Sequence, residues 1–254
     1  MIKADQPTIF GDKITVALSS REDGQMQHGW VESDDVVTDN RRKFIAAAGL
    51  VIERSALVRV QYLDNAPYDQ IVTVTEADAG MGMYKKDGMV ADCLVTTTKE
   101  LGLLLPVADC GATVIYDPDH QVLALAHLGR HSTVANLARK LVAHLVDTYQ
   151  TDPAELKIWV SPSISAKHYV LEYADFAQGN PDWGPYSTPI DGGYAVDVSG
   201  YNRRQFIGAG VLAQNIEISE VDTAISEDYW SHHQQKNVQG QSAPPRFAAI
   251  AALK

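Results

Sequence analysis

The segment between Leu101 and Arg130 constrains the fold of this chain more than any other. It reads LGLLLPVADCGATVIYDPDHQVLALAHLGR, so two runs rich in Val, Ile, Leu and Ala flank an Asp-Pro-Asp-His sequence. Proline fixes φ early in a turn and aspartate bonds its own backbone there, so these residues favour a chain reversal. The pattern predicts a β-hairpin whose turn is centred between Pro118 and Asp119.

This turn position predicts which residues face each other across the hairpin. Tyr116 would face Gln121, and stepping outward along both strands brings Cys110 opposite His127. Directly opposed residues have Cβ atoms about 4.5–5.5 Å apart and project to the same side. We therefore expect a thiol and an imidazole to lie side by side, unless a β-bulge at Gly111 shifts the pairing.

A cysteine beside a histidine has three interpretations. The histidine can lower the pKa of the thiol and act as its base, which makes a nucleophile. A thiolate and a neutral imidazole are also two of the ligands that zinc prefers. The third interpretation is a half-buried cysteine packed near an incidental histidine, and the residues alone leave all three open.

The rest of the chain predicts an α+β fold with mixed β-sheets and flanking helices. Strand-like runs follow one another instead of alternating with helices, which argues against a doubly wound nucleotide-binding fold. The predicted strands are Lys13–Leu18, Leu57–Gln61, Ile71–Thr75, Cys93–Thr97, Leu101–Val107, Thr113–Tyr116, Val122–Ala126, Leu156–Val160, Ala195–Val198, Ile216–Ser219 and Phe247–Leu253. Helices are predicted over Asp39–Ala48, Thr133–Thr148 and Tyr201–Ala209. Turn-forming residues predict a surface loop or flap over Gln178–Gly193 and an irregular stretch over Gln234–Pro245.

Length and charge limit the kind of protein. A chain of 254 residues fits a single domain spanning residues 1–254. The formal net charge of −11, with no Lys/Arg run longer than two, argues against nucleic-acid binding, which needs a basic face. A small-molecule substrate is the more natural partner, and no pattern indicates an oligomeric state.

The chain also lacks the patterns of export and membrane insertion. The N-terminal residues have no apolar signal region, and the longest apolar stretch, near Leu101–Val107, is too short to span a bilayer. Cys93 and Cys110 are too few for a disulfide framework. We therefore expect a cytoplasmic protein whose thiols are buried, metal-bound or reactive.

Five short motifs, in order and spacing, resemble those of the laccase-domain (polyphenol oxidase-like, YfiH-like) family. They read ADCLVT at 91–96, GLLL at 102–105, VADC at 107–110, YDP at 116–118 and AHLG at 126–129. The corresponding family motifs are ADALVT, GLAL, TADC, YDP and AHAGWRG. The resemblance implies the laccase-domain fold, which is related to that of the cytotoxic necrotising factor cysteine hydrolases.

The resemblance also implies an activity and a metal. Family members are linked to purine nucleoside phosphorolysis, adenosine deamination and methylthioadenosine cleavage, so a purine nucleoside and phosphate are the implied substrates. Cys110 and His127 correspond to two family zinc ligands, and the third, a histidine, falls at Gln61, a poor ligand for zinc. Copper is less expected, because eight scattered histidines offer no multicopper set. Histidines that could replace the missing ligand are His28, His131 and His168.

This sequence also departs from the family motifs at residues implied to hold the substrate. The family sequence WRG after the histidine is Arg130-His131-Ser132 here, and its C-terminal YRR is His232-His233-Gln234. We expect Arg21, Gln61 and Arg130 to contact the substrate. His232 and His233 would point to opposite faces of a strand and so would not form a metal pair.

Two other functions stay open at this point. One is a metal-free thiol hydrolase, an amidase or deamidase with Cys110 as nucleophile and His127 as base. The other is a relative without catalysis that keeps the fold and binds a ligand.

Overall fold

The hairpin predicted from the sequence lies at the centre of a six-stranded β-sheet. The computed structural model describes residues 5–29, 32–235 and 245–254. The strands of this sheet are β3 (Ile71–Thr73), β4 (Cys93–Thr96), β6 (Gly111–Asp117), β7 (Val122–Leu128), β8 (Lys157–Val160) and β12 (Ile216–Ile218). Their order is β12-β8-β6-β7-β4-β3. Every residue of β6 and β7 is buried, because these are the two middle strands of the sheet.

A second sheet of four strands packs against the first. Its strands are β1 (Ile14–Leu18), β2 (Ser55–Leu57), β5 (Gly102–Val107) and β13 (Phe247–Leu253), in the order β1-β13-β5-β2. Side chains alternate along a strand, so Leu103 and Leu105 join Val114 and Leu125 in the core between the sheets. Leu104 points the other way, into a separate apolar cluster beneath the first long helix.

Helices lie around these two sheets. They are α1 (Asp34–Ala47), α2 (Arg130–Val134), α3 (Leu137–Tyr149), α4 (Val198–Gly208) and α5 (His232–Gln235). Leu137, Leu141 and Leu145 of α3 are spaced for one helical face and pack on the six-stranded sheet. The single helix predicted over Thr133–Thr148 is instead two helices, because Asn136 adopts a left-handed conformation with φ of 60°. No helix in the described ranges is both long and apolar enough to cross a bilayer.

A small third sheet lies beside α4. It consists of β9 (Val170–Leu171), β10 (Ser187–Ile190) and β11 (Gly193–Val196), in the order β10-β11-β9. The loop predicted over Gln178–Gly193 is therefore partly ordered, and its Trp183 is buried in a stack on Tyr201 with ring centroids 3.8 Å apart. Most of the irregular stretch predicted over Gln234–Pro245 lies outside the described residues.

The class of the fold is confirmed as α+β with mixed sheets. In the four-stranded sheet β5 pairs antiparallel with β13 and parallel with β2. In the six-stranded sheet β12 pairs parallel with β8, whereas β6 pairs antiparallel with β7.

The predicted register of the β6–β7 hairpin is wrong by two residues. His127 pairs with Ala112, not with Cys110, and the ladder closes at Asp117 and Val122. The turn is longer than the sequence suggested, because Asp117 accepts backbone N–H groups from residues 119 and 120, and Gln121 completes the turn with φ of 51°. Because side chains repeat every two residues, this shift leaves Cys110 and His127 on the same face.

Candidate active site

Gly129 is the point at which Cys110 and His127 meet. A Cβ added to Gly129 would lie 2.7 Å from Cys110 Sγ and 3.0 Å from His127 Cε1. Both side chains therefore pack over the same piece of backbone, between the end of β7 and the start of α2. Only glycine leaves room for them there, which explains the Gly after His127-Leu128.

His127 is held rigidly by its backbone. Its N–H donates to the carbonyl of Asp92 at 2.8 Å, and its carbonyl accepts the Ser132 hydroxyl at 2.7 Å. The imidazole is buried, and among the described residues Nδ1 has no hydrogen-bond partner. Burial, reinforced by the nearby positive charge of Arg246, lowers the pKa of His127 to about 4. The ring is therefore neutral at neutral pH.

Tyr62 supplies the hydrogen-bond partner of the other imidazole nitrogen. Its hydroxyl oxygen lies 3.1 Å from His127 Nε2. The same hydroxyl lowers the pKa of the Cys110 thiol, although 56% of the surface of Tyr62 remains exposed. Burial of the hydroxyl raises the pKa of Tyr62 well above its ordinary value. The phenol is therefore protonated and bonds the imidazole that lies beside the thiol.

Cys110 stands at the bend between β5 and β6. Burial, with the adjacent carboxylate of Asp109, raises the pKa of the Cys110 thiol to about 11, against the opposing influence of Arg246 and Tyr62. At neutral pH the cluster thus contains a thiol, a phenol and a neutral imidazole. All three are uncharged groups that can exchange hydrogen bonds.

Two arginines flank this cluster. Arg130 begins α2, with Nη2 lying 3.1 Å from His131 Nε2 and the guanidinium 5.9 Å from the ring centroid of Phe176. Arg246 immediately precedes β13, and its Nη2 lies 3.5 Å from His232 Nδ1. Burial lowers the pKa of Arg246 below its ordinary value, yet an arginine remains cationic at neutral pH.

One cavity of about 600 Å³ contains all of these groups. Its lining also includes Ser199 and His232, and the rings of Tyr169 and His233, which lie 6.0 Å apart. Asp109 fixes the position of His233, because its carboxylate accepts the backbone N–H of His233 at 2.6 Å. The cavity is in the size range of small-molecule sites, which are about 300–1,000 Å³.

The structure brings together some of the predicted site residues and separates others. Cys110, His127 and Arg130 line the 600 Å³ cavity. Gln61 lines an adjoining cavity of about 340 Å³ that shares His127 and Arg246 with the main one. Arg21 does not line the main cavity; its guanidinium donates instead to the carbonyls of residues 226 and 229.

The candidate replacement histidines divide in the same way. His131 lines the cavity and stacks on Tyr68 with ring centroids 4.6 Å apart. His28 is buried against Thr38, and His168 bonds Asp222 at 2.6 Å, so neither lines the cavity. The expectation that His232 and His233 lie on a strand is wrong, because they begin α5 and both line the cavity.

Tyr62, Tyr169 and Arg246 are among the cavity residues that were missed from the sequence. Tyr62 is one position beyond Gln61, so the family alignment pointed to the right segment and the wrong side chain. Arg246 and Tyr169 carry no local signal, since only the tertiary fold brings them to Cys110.

The donor set does not fit zinc. In the described part of the chain, no three His, Cys, Asp or Glu side chains lie close enough together to hold one ion. Zinc sites in proteins use at least three such ligands, whereas the third group at Cys110 and His127 is a neutral phenol. The same shortage applies to copper, which favours sets of several imidazoles.

Comparisons with known proteins agree with this architecture. Residues 19–247 match the model of a family described as multi-copper polyphenol oxidoreductase laccase. The purine nucleoside phosphorylase YlmD of Bacillus subtilis is 24% identical over 188 residues, which cover 71% of this chain and 67% of that protein. The protein of the same name from Geobacillus stearothermophilus is 28% identical over 218 residues, which cover 81% of this chain and 76% of that protein.

A solved structure shows the same fold over the whole chain. The hypothetical protein YfiH of Bacillus licheniformis superposes with a TM-score of 0.87 at 21% identity, covering 100% of this chain and 99% of that one. At this identity the likeness concerns the fold alone.

Proposed function

Because this chain belongs to the multi-copper polyphenol oxidoreductase laccase family, and its curated relatives include proteins named purine nucleoside phosphorylase, we propose that it cleaves purine nucleosides with phosphate. The observation that carries this proposal is that Arg130 and Arg246 both line the cavity that contains Cys110 and His127. A nucleoside and a phosphate ion fit the size of such a site.

The two arginines would hold the phosphate. Guanidinium groups bind phosphate oxygens through paired, charge-assisted hydrogen bonds. A phosphate oxygen attacks C1′ of the ribose, the bond from C1′ to the purine nitrogen breaks, and its electron pair moves onto the base. The proton carried by the phosphate ends on the base, so the products are ribose 1-phosphate and the free purine.

The uncharged cluster would assist departure of the base. The thiol of Cys110 and the hydroxyl of Tyr62 keep their protons at neutral pH, because burial raises both pKa values. They can therefore donate hydrogen bonds to a purine that becomes negatively charged as the bond breaks. His127, neutral and fixed by its backbone, orients the Tyr62 hydroxyl.

Other activities are less well supported by this site. Adenosine deamination needs an activated water, commonly held by zinc, and the donor set does not fit that ion. A thiol hydrolase needs a thiolate, whereas the pKa of Cys110 is about 11. A relative without catalysis is the remaining alternative.

Turnover of inosine and adenosine, with and without phosphate, tests the proposal. We expect phosphate-dependent release of the base with formation of ribose 1-phosphate, and a KM for phosphate raised by about tenfold or more in Arg130→Gln or Arg246→Gln. Loss of one charged hydrogen-bond pair, about 1.5–3 kcal/mol, corresponds to that change. Arg204→Gln is the matched control, since this exposed arginine pairs with Asp182 outside the cavity.

Two outcomes would overturn the proposal. Release of free ribose at a rate independent of phosphate would mean hydrolysis. Absence of any turnover in a folded protein that binds nucleoside would mean a relative without catalysis.

A further inference from the structure

The side chain of Tyr62 borders the two groups that the family resemblance marks as metal ligands. Its hydroxyl lies 3.1 Å from Nε2 of His127, and Sγ of Cys110 packs with the same imidazole over Gly129. The hydroxyl thus occupies one nitrogen of the imidazole that lies beside the thiol. A metal ion bound to that nitrogen would have to displace the hydroxyl.

The length of the Tyr62 side chain determines which of its atoms reaches His127. A tyrosine hydroxyl extends beyond the reach of a histidine ring nitrogen by roughly one zinc–nitrogen bond, about 2.0–2.1 Å. A histidine at position 62 would therefore point its nitrogen at the place that the hydroxyl now fills.

Neighbouring rings hold Tyr62 in this position. It makes an edge contact with His127 at 6.0 Å and with His131 at 6.2 Å between ring centroids, and Tyr68 lies 6.3 Å away on the same segment. Edge-to-face packing of aromatic rings is favourable. Because these contacts fix the ring, the hydroxyl has a defined place in the cluster.

We infer that Tyr62 makes the Cys110–His127 pair a metal-free, hydrogen-bonded site, and that this one side chain separates it from a three-ligand zinc centre. The inference goes beyond the proposed phosphorolysis and does not depend on it. The inference is tested by measuring bound metal, so failure to find a substrate would not contradict it.

Metal content of purified protein and titration with zinc test this inference. Wild type is expected to purify without stoichiometric zinc, whereas Tyr62→His should bind one equivalent. We expect its affinity to exceed that of wild type by more than about 100-fold, because even outer partners of a metal ligand change affinity by about 10–100-fold. In the double variant Tyr62→His/Cys110→Ala this gain should be lost. Cobalt in place of zinc would show thiolate coordination in Tyr62→His by its charge-transfer absorption.

Tyr68→His is the matched control. It introduces the same side chain six positions away on the same segment, where the ring stacks on His131 and does not bond Cys110 or His127. This variant should bind no more zinc than wild type. Equal zinc binding by Tyr68→His and Tyr62→His would contradict the role of position 62.

Stoichiometric zinc in wild type, lost in Cys110→Ala, would overturn the inference, as would a folded Tyr62→His that binds none. If Tyr62→His does not fold, Tyr62→Ala supplies the test, with zinc and free imidazole added together. Binding of one zinc only when imidazole is present would support the inference, and no binding would refute it.

Discussion

The carboxylate of Asp109 accepts the backbone N–H of His233 at 2.6 Å, and so ties the bend that carries Cys110 to the part of the cavity wall that His233 forms. Its other oxygen accepts the hydroxyl of Thr223 at 2.6 Å. Asp109 itself has a φ of 77°, a conformation that few residues other than glycine adopt. This bend is held in shape by the contacts that close the cavity.

Asp109→Ala should open that wall. We expect a higher KM with a smaller change in kcat, and a loss of about 1–3 kcal/mol in the free energy of unfolding, because two buried donors lose their acceptor. Thr223→Val removes only one of the two bonds and should have the smaller effect on KM. Steady-state kinetics and urea unfolding provide both measurements. An equal effect of the two variants would contradict the role of the His233 bond.

Gly129→Ala should separate Cys110 from His127. The added methyl group would lie 2.7 Å from Sγ of Cys110, so one of the two side chains must move. Overpacking of this kind costs about 1–3 kcal/mol of stability. We expect turnover to fall by at least about tenfold, since an increase of about 1.4 kcal/mol in the activation free energy is enough for that change. Gly184→Ala is the control, because a Cβ there has nothing within 4 Å. A fully active Gly129→Ala enzyme would show that the contact is dispensable.

Stability should depend on pH through His127. Burial, the charge of Arg246 and the proximity of His131 lower the pKa of His127 from 6.5 to about 4. Between these values the unfolded chain binds more protons than the folded protein, so the free energy of unfolding rises with pH and levels off above about 6.5. The full shift in the pKa of His127 corresponds to about 3 kcal/mol at most in the free energy of unfolding.

Urea unfolding between pH 4 and 7 tests this dependence with His127→Gln. That variant should have a shallower slope than wild type across the window. His28 contributes in the same direction, since burial and Arg41 also lower its pKa to about 4. His127→Gln/His28→Gln should therefore be flatter still, and unchanged slopes in both variants would contradict the assignment.

The Cys110 thiol should react slowly at neutral pH. Because burial and Asp109 raise its pKa to about 11, its rate of alkylation by iodoacetamide should keep rising with pH through pH 9. At pH 7 we expect a rate on the order of 100-fold below that of an exposed cysteine. Asp109→Asn, which removes the nearby negative charge, should speed the reaction. Peptide mass spectrometry distinguishes Cys110 from the buried Cys93, and a plateau below pH 8 would instead favour the thiol-hydrolase alternative.

The β6–β7 turn should depend on Asp117. This buried carboxylate accepts the hydroxyl of Thr151 and the backbone N–H groups of Asp119 and His120. Asp117→Ala should destabilise the fold by about 3 kcal/mol, since hydrogen bonds to charged groups contribute about 1.5–3 kcal/mol each. Asp119→Ala, at an exposed position in the same turn, should cost far less. Thermal unfolding of the two variants provides the comparison.

The hairpin shows how far local sequence determines this fold. Continuous apolar runs located both strands, because a strand buried on both faces is apolar throughout. The register was missed because it depends on hydrogen bonds that the Asp117 carboxylate accepts and on the positive φ of Gln121, neither of which the apolar pattern encodes. The face was nonetheless correct, since an error of two residues preserves the side of the sheet.

The candidate site was only partly predictable for a related reason. Cys110, His127 and Arg130 lie on one short stretch of sequence, and family motifs mark it. Tyr62 and Arg246 come from distant segments, and their positions depend on how the two sheets stack. The assignments of Arg21 and Gln61 to substrate, and of residues 1–254 to one domain, stay predictions.

The placement of β13 has a consequence for how this protein matures during synthesis. The strand inserts between β1 and β5, which precede it by more than a hundred positions in the sequence, and Arg246 arrives with it. While the ribosome is still making this segment, β1 and β5 have no shared neighbour and the cavity lacks one of its two cations. We therefore expect nascent chains stalled before Arg246 to expose both sheet edges to chaperones and to bind no phosphate.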